Sequence, residues 1–211
     1  MIGSIDLKRR NDIHWARKIW HMAGVSLIAV IYAYTPILWS KVLLLLVLLF
    51  FIPLDFLRQR NQSLNQFMLN IFKPILRENE IHKLAGTTYL LSGVAVVVFF
   101  FPREVATLTL LILAFADPFA SIFGIKFGKD KIFGQKSLQG SMAAFFVCAF
   151  LTFGYMFYHA ILIDRILIIS LLAGLVGALA ELIPLGKLDD NFTLPVVSAF
   201  ALWLLFTIFG F

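Results

Sequence analysis

The chain has 211 residues, of which 61% are hydrophobic and only 14% are charged, and its formal net charge is +6. A soluble domain needs a more polar surface than this composition allows, so the sequence predicts an integral membrane protein. The positive charge is typical of oriented membrane proteins that contact anionic headgroups. It does not indicate nucleic-acid binding, because no basic region has a soluble scaffold. The single cysteine, Cys148, excludes an intrachain disulfide and a cysteine-based zinc site.

Seven apolar segments follow one another along the chain, each close to the roughly 20 residues that a helix needs to cross the hydrocarbon core. The second segment is the shortest and contains Pro53 and Asp55. We therefore predict an all-α, polytopic membrane protein with about seven transmembrane helices and a single domain over residues 1–211. The predicted spans are 18–37, 41–57, 84–101, 105–123, 138–159, 166–183 and 192–211.

The basic residues predict the orientation of these spans. When the gaps between spans are assigned alternately to the two sides of the membrane, all but three of the 18 basic residues fall on one side, the exceptions being Lys41, Arg103 and Arg165. Lys and Arg in short loops accumulate on the cytoplasmic side. We therefore predict a cytoplasmic N-terminus and a C-terminus on the opposite side. The membrane would be the cytoplasmic membrane of a prokaryote or an endoplasmic-reticulum-type membrane of a eukaryote.

The loop between the second and third spans contains an amphipathic stretch at about residues 63–77. Apolar residues recur there at steps of three and four, which places them on one face of a helix lying in the membrane interface. This helix either bridges its two neighbours or forms a surface that admits lipid to a site beside it. The apolar face comprises Leu64, Phe67, Met68, Ile71, Phe72, Ile75 and Leu76.

An aspartate lies inside the fourth span. Asp117 precedes Ile125 by eight residues, which places it about 12 Å below the cytoplasmic end of the helix. An isolated carboxylate there costs roughly 2.5–3.5 kcal/mol, so Asp117 should face a polar interior, and Pro118 can kink the helix beside it. The side chain is either a functional group or a packing carboxylate that is protonated or paired.

A polar loop follows this span, at about residues 117–141. It mixes glycines, which allow the backbone to approach a ligand, with cations and hydroxyls suited to phosphate oxygens. Ser137 can also cap the fifth helix and add the N–H groups of its first turn to an anion site. The run Gly134-Gln135-Lys136-Ser137 lacks the upstream glycine of a P-loop. The alternative is a lysine-rich loop that only obeys the positive-inside rule. The candidate nucleotide-binding residues are Lys126, Gly128, Lys129, Lys131, Lys136, Ser137, Gly140 and Ser141.

A second polar loop, at about residues 181–191, is acidic. It contains Glu181, Asp189, Asp190 and Asn191. Mg²⁺ prefers oxygen ligands and takes one or two carboxylates together with water and substrate phosphates. We expect a Mg²⁺ site formed from Asp117, Glu181, Asp189 and Asp190, although not all four can be ligands. Either Asp189 or Asp190 can instead cap the last helix.

These residues together carry a resemblance. Asp117, Gly128-Lys129, Lys136-Ser137-Leu138-Gln139-Gly140-Ser141, Glu181 and Asp190-Asn191 resemble the CTP-dependent lipid-alcohol kinases, the group of dolichol, phytol, farnesol and CTP-dependent diacylglycerol kinases, which is similar in turn to phosphatidate cytidylyltransferases. One departure is Gln139, which stands where this family has an acid. The chain is also shorter than dolichol kinases, which favours the phytol-like or diacylglycerol-like members.

The resemblance implies transfer of the γ-phosphate of CTP to the hydroxyl of a membrane lipid alcohol, with Mg²⁺, by an active site facing the cytoplasm. The implied catalytic residues are Asp117, Lys136, Glu181 and Asp190, with Asp117 as the base, and Asn191 joins the nucleotide-binding residues. Arg17 and His21 lie on one face of the first span and either contact phosphate or anchor the helix at the interface.

Two other functions remain open at this stage. A cytidylyltransferase would attack the α-phosphate and make a CDP-lipid, and a transporter or lipid-binding scaffold would use Asp117 and Glu181 as an ion path. The small residues of the sixth span are compatible with packing within one chain or in a homo-oligomer.

Overall fold

The computed structural model describes residues 13–183 and 188–211, and within them the chain is almost entirely helical. This confirms the all-α class, with one addition: a short antiparallel hairpin of β1 (Lys131–Phe133) and β2 (Lys136–Ser137) in the loop after the fourth span. The helices are α1 (Trp15–Tyr34), α2 (Ile37–Arg60), α3 (Gln62–Phe72), α4 (Gly86–Phe100), α5 (Arg103–Phe127), α6 (Leu138–Tyr158), α7 (Ile166–Leu182) and α8 (Asp190–Ile208), with 3₁₀ turns at Glu78–Glu80 and Ile163–Arg165.

An apolar helix lies at each of the seven predicted spans, but the helices are not equally suited to crossing a membrane. In the described part of the chain, five are long and apolar enough: α2, α5, α6, α7 with its preceding turn, and α8. Helix α4 is apolar but has only 15 residues. Helix α1 has 20 residues but begins with Arg17 and Lys18, which lower its hydropathy.

The predicted amphipathic stretch forms α3, which ends at Phe72 and continues as a turn. Asn61 caps the helix by accepting a hydrogen bond from the Leu64 N–H. Leu69 is buried against the protein, whereas Phe67 and Ile71 are exposed. A helix that exposes large apolar side chains beside a membrane bundle is typical of an interfacial helix.

Helix α5 is the centre of the bundle. Leu110 and Leu113 on one of its faces belong to an apolar core shared with α1, α4 and α8. Leu108 and Ile112 belong to a second core shared with α6, α7 and α8. Because both faces are packed, α5 holds Asp117 at a fixed position among the helices around it.

Candidate active site

Lys136 joins three separate elements at one end of the bundle. It lies on β2, and its ammonium donates a hydrogen bond of 2.5 Å to the backbone oxygen of Glu181 at the end of α7. The same nitrogen is 3.0 Å from Glu181 Oε1 and 3.3 Å from Asp190 Oδ2 on the first turn of α8. The structure therefore brings together three of the four predicted catalytic residues. We call Lys136, Glu181 and Asp190 the lysine cluster.

The two carboxylates determine the charge of Lys136. Burial by itself lowers the pKa of Lys136, but the negative charges of Glu181 and Asp190 oppose it and leave that pKa above its ordinary value. Asp117 adds to the same effect. The ammonium therefore stays protonated at neutral pH. The two carboxylates already hold this protonated amine in one position. It can therefore bind an anionic ligand without a further loss of side-chain conformational entropy.

Asp117 is half-buried on α5, between the buried residues Ala116 and Pro118. Its negative charge acts on Lys136 and also on Lys18 of α1. In the part of the chain that the structure describes, no residue donates a hydrogen bond to its carboxylate. The fourth predicted catalytic residue thus lies within electrostatic range of the lysine cluster and keeps its oxygens available to a ligand.

The adjacent acids before α8 have different roles. Asp189 is the N-cap: its Oδ1 accepts hydrogen bonds from the Asn191 N–H at 3.0 Å and from Asn191 Nδ2 at 2.7 Å. This confirms the capping alternative for Asp189. Asp190 instead points toward Lys136.

A second cluster lies around Gly86, at the start of α4. Arg17 Nη1 is 2.9 Å from Glu80 Oε1, and the same carboxylate oxygen accepts a hydrogen bond of 3.2 Å from the Gly86 N–H. A Cβ on Gly86 would overlap Arg17 Nη2 and lie 2.9 Å from Asn191 Nδ2. The absence of a side chain at Gly86 therefore lets the ends of Arg17 and Asn191 come together in this position. We call Arg17, Glu80, Gly86 and Asn191 the arginine cluster.

Sequence reasoning placed Arg17 and Asn191 in the site but missed Glu80. Arg17 and Glu80 are 63 residues apart, and no regular spacing connects them. The one available signal was chemical, because an arginine facing a membrane interior needs a partner and Glu80 is an acid in the adjoining loop.

His21 connects α1 to α5. Its Nε2 donates a hydrogen bond of 2.9 Å to the backbone oxygen of Leu113, one turn before Asp117. Arg17, one turn earlier, reaches toward Glu80 and the Ile75 oxygen instead. The two residues predicted to act together therefore hold α1 against different neighbours.

The hairpin residues nearest α6 are tightly packed. Ser137 caps α6 by accepting a hydrogen bond of 3.3 Å from the Gly140 N–H, as predicted. A Cβ on Gly128 would overlap the Gly124 oxygen and lie 2.5 Å from Ser137 Oγ. A Cβ on Gly140 would lie 2.8 Å from the Ala120 oxygen. Close packing of the chain on itself is thus sufficient to require both glycines, and ligand contact is not needed to explain them.

The other loop lysines do not enter the lysine cluster. Lys126, Lys129 and Lys131 are exposed. Lys131 donates across the hairpin to the Gln135 oxygen at 3.1 Å, and Lys126 lies over the Phe127 ring. These exposed cations give this end of the bundle a positive charge.

Two further polar residues of α6 behave differently from each other. Ser141 is buried, and its hydroxyl has no hydrogen-bond partner within residues 13–183 and 188–211. Gln139, the departure from the family pattern, donates a hydrogen bond of 2.6 Å to Asp130 Oδ2. That contact closes the hairpin on the exposed side of the loop, so Gln139 stabilises the loop rather than facing Lys136.

The acids around Lys136 fit a magnesium ion that is shared with a phosphate ligand. The described residues contain no group of three or more His, Cys, Asp and Glu side chains that could hold a metal on their own. Mg²⁺, however, is usually bound by one or two carboxylates, and phosphate oxygens and water complete its octahedron. Glu181 and Asp190 supply two carboxylates, and Asp117 is a third acid whose charge acts on the same lysine.

Comparison with known proteins identifies the family. No family model matches the chain, and no solved structure matches it. The CTP-dependent diacylglycerol kinase 1 of Schizosaccharomyces pombe is 33% identical over 161 residues, which cover 72% of this chain and 74% of the yeast protein. The chain belongs to the CTP-dependent lipid kinase family.

Two further relatives agree with this assignment. The protein of the same name from Saccharomyces cerevisiae is 28% identical over 206 residues, covering 87% of this chain and 70% of that protein. Phytol kinase 1, chloroplastic, from Arabidopsis thaliana is 27% identical over 152 residues, covering 64% of this chain and 49% of the plant protein. The family resemblance read from the sequence motifs is thereby confirmed.

Proposed function

We propose that this protein transfers the γ-phosphate of CTP to the free hydroxyl of diacylglycerol and so makes phosphatidate. The observation that carries the proposal is the lysine cluster beside Asp117, in a chain whose relatives include two proteins named as CTP-dependent diacylglycerol kinases. Those kinases match 72% and 87% of this chain, compared with 64% for the phytol kinase, which favours diacylglycerol over a prenyl alcohol.

In this proposal, cations and backbone N–H groups bind the triphosphate. Lys136 contacts a phosphate from its fixed position between Glu181 and Asp190. Lys126, Lys129 and Lys131 attract the nucleotide and hold its outer oxygens. The first turn of α6, from Ser137 to Ser141, provides N–H groups and the partner-free Ser141 hydroxyl. Arg17 and Asn191 approach the phosphates from the other side.

Asp117 acts as the base. The acceptor hydroxyl oxygen attacks the γ-phosphorus and forms the new P–O bond, while the bond from that phosphorus to the β–γ bridging oxygen breaks. CDP leaves with that electron pair, and the hydroxyl proton passes to the Asp117 carboxylate. Asp117 suits this role because it lies about 12 Å along α5 from the predicted cytoplasmic end, nearer to the lipid chains than the loop residues, and because its oxygens are available.

Mg²⁺ would be held by Glu181 and Asp190, with Asp117 or Asp189 as further candidates. When bound, the ion would supply positive charge that offsets the negative charge of the triphosphate. Lys136 separates the two carboxylates and keeps them from repelling each other while the site is without nucleotide.

We also propose that all seven apolar helices cross the membrane, that residues 1–211 form one catalytic domain, and that the active site faces the cytoplasm. Helices α1 and α4 together with the five longer or more apolar helices make up the seven spans. The distribution of Lys and Arg supports a cytoplasmic N-terminus. The loop lysines and Arg17 would then lie at the cytoplasmic face, where CTP is available.

The test is phosphate transfer by reconstituted protein with Mg²⁺ and CTP labelled in parallel at the α or the γ position. The acceptors are diacylglycerol, phytol, farnesol and phosphatidate. Transfer of label to diacylglycerol from the γ position alone supports the proposal. Transfer of label from the γ position to phytol or farnesol would instead identify that alcohol as the acceptor. Label from α in phosphatidate identifies a cytidylyltransferase. No label with no CTP binding would favour a transporter or scaffold.

A further inference from the structure

An apolar cavity lies beneath α3, beside the arginine cluster. Its walls come from the first four helices, so it is a feature of the assembled bundle and not of any one segment. The lining of the cavity includes Trp20 of α1, Phe51 and Leu54 of α2, Met68 and Phe72 of α3, and Thr87 of α4.

We propose that this cavity receives a segment of a hydrocarbon chain of the diacylglycerol substrate and thereby sets which lipid alcohols the enzyme accepts. The proposal rests on the proposed function. It goes beyond it by assigning the binding of the lipid chain to named residues.

The chemistry of the lining favours an apolar occupant. Among the described residues, the charged ones at the cavity are Asp55 and Arg58, which are buried and form an ion pair of 2.5 Å with each other. Their remaining groups bind protein: Arg58 Nη2 donates to the Lys83 oxygen, and Asp55 Oδ2 accepts from the Thr88 hydroxyl. Because both charges are already paired with protein, an anion gains no charged partner there, whereas a hydrocarbon chain gains from burial against Trp, Phe, Leu and Met.

The cavity adjoins the arginine cluster. Thr87 and Ala85 line it, and Gly86 between them is the residue against which Arg17 and Asn191 pack. A lipid whose chain lies under α3 would thus have its polar end beside these side chains. The cavity is therefore adjacent to residues that the proposed function assigns to the phosphates, as a chain-binding site for the same substrate must be.

Helix α3 forms a roof that reaches into the membrane interface. Met68 and Phe72 face the cavity, while Phe67 and Ile71 of the same helix are exposed to the interface. A lipid in the cytoplasmic leaflet therefore needs only to pass this edge. The buried Asn65, which accepts a hydrogen bond from Arg58 and donates one to the Ile81 oxygen, holds the roof in place.

The test compares two leucine-to-tryptophan substitutions on α2. One fills the cavity, and the other lies on the outer face of the helix. Leu54→Trp narrows the cavity, and Leu49→Trp adds the ring at an exposed position. Each variant of the full reconstituted chain is assayed with dioctanoylglycerol and dioleoylglycerol.

We expect Leu54→Trp to raise the KM for the long-chain substrate by about tenfold relative to the short-chain one, since a few methylenes lose their burial. The KM for CTP should stay unchanged, and Leu49→Trp should keep the wild-type preference. An equal effect on both lipids, or none, would overturn the cavity assignment. Absence of γ-label transfer by the wild-type chain would instead overturn the proposed function.

A measurement on the wild-type chain covers the case in which Leu54→Trp does not fold. A diacylglycerol with a diazirine at the end of one chain is photolysed with the protein, and the labelled residues are located by fragmentation of the peptides. We expect label at Leu54 and Met68, lost when unlabelled diacylglycerol is added. Label only at exposed positions such as Leu49, unaffected by competition, would contradict the proposal.

Discussion

Lys136 binds Glu181 twice, through the backbone oxygen at 2.5 Å and through the carboxylate at 3.0 Å. These contacts fix the start of α6 to the end of α7, and Asp190 adds the start of α8. The start of α6 is thus held by one ammonium group to the ends of two helices that lie more than 40 residues later in the sequence. The same group is the proposed phosphate ligand, so the integrity of the site and its charge depend on a single side chain.

Lys136→Ala should therefore abolish most activity. It leaves the buried Glu181 carboxylate without its cation and removes a phosphate contact, so we expect a fall in the rate of lipid phosphorylation of about 100-fold or more. Initial rates and thermal unfolding in detergent measure the two effects. Lys73→Ala, which removes an exposed lysine at the end of α3, is the matched control and should retain both. A near wild-type rate for Lys136→Ala would exclude the assigned role.

The pH dependence of activity follows from the raised pKa of Lys136. Burial lowers this pKa, but Glu181 and Asp190 more than compensate, so the ammonium is charged at every pH below its ordinary value of about 10.4. Its ion pairs are lost only when the pH rises through the still higher folded-state pKa. On the alkaline side, the pH–activity profiles of the wild type and of Lys136→Arg should therefore have the same shape up to about pH 9.5. A loss confined to the wild type near pH 8 would show that Lys136 is not held in this way.

Gly86→Ala should damage the arginine cluster specifically. The added methyl group would overlap Arg17 Nη2 and press on Asn191 Nδ2, so both side chains must move away from the proposed phosphate site. We expect kcat/KM to fall by about tenfold. Gly154→Ala is the control, because nothing lies within 4 Å of the new methyl group there, and it should keep full activity. Equal activity of the two variants would show that the position of Arg17 does not matter.

Arg58→Ala should destabilise the protein without touching the phosphate-binding residues. Arg58 is 2% exposed and bonds Asp55, Asn65 and the backbone oxygens of Glu80 and Lys83. Removing it leaves a buried carboxylate unpaired, which costs about 3–5 kcal/mol. Arg60→Ala, two residues later on the exposed side of α2, should change the stability by less than about 0.5 kcal/mol. Thermal unfolding of the two variants gives the comparison.

The sequence predicts local features of this molecule better than long-range ones. The apolar segments, the amphipathic α3 and the Ser137 cap each follow from a pattern within a few residues. Asp117 could be found because a carboxylate in an apolar helix is costly wherever it lies. The pairing of Lys136 with both Glu181 and Asp190 could not be derived, because it depends on how α6, α7 and α8 pack.

The arginine cluster and the Asp55–Arg58 pair show the same limit. Pro53 and Asp55 are unfavourable residues within a predicted transmembrane span. In the structure, Asp55 accepts hydrogen bonds from the Ala85 N–H and from the Thr88 hydroxyl of a distant segment. Gly128 and Gly140, which flank the hairpin, are assigned to ligand contact when only their chemistry is considered. Their close contacts with Ala120, Gly124 and Ser137 arise where α5 and α6 meet, which no local sequence pattern shows.

The most direct test of the account is phosphate transfer by Asp117→Asn, measured with γ-labelled CTP and diacylglycerol in a single turnover alongside equilibrium binding of CTP. Asparagine keeps the size of the side chain but cannot accept the hydroxyl proton. We predict that the variant binds CTP within about threefold of wild type and transfers phosphate at least about 100-fold more slowly. Asp164→Asn, at an exposed acid outside the site, should match wild type in both measurements. Transfer by folded Asp117→Asn at the wild-type rate would contradict the central claim that this carboxylate is the base.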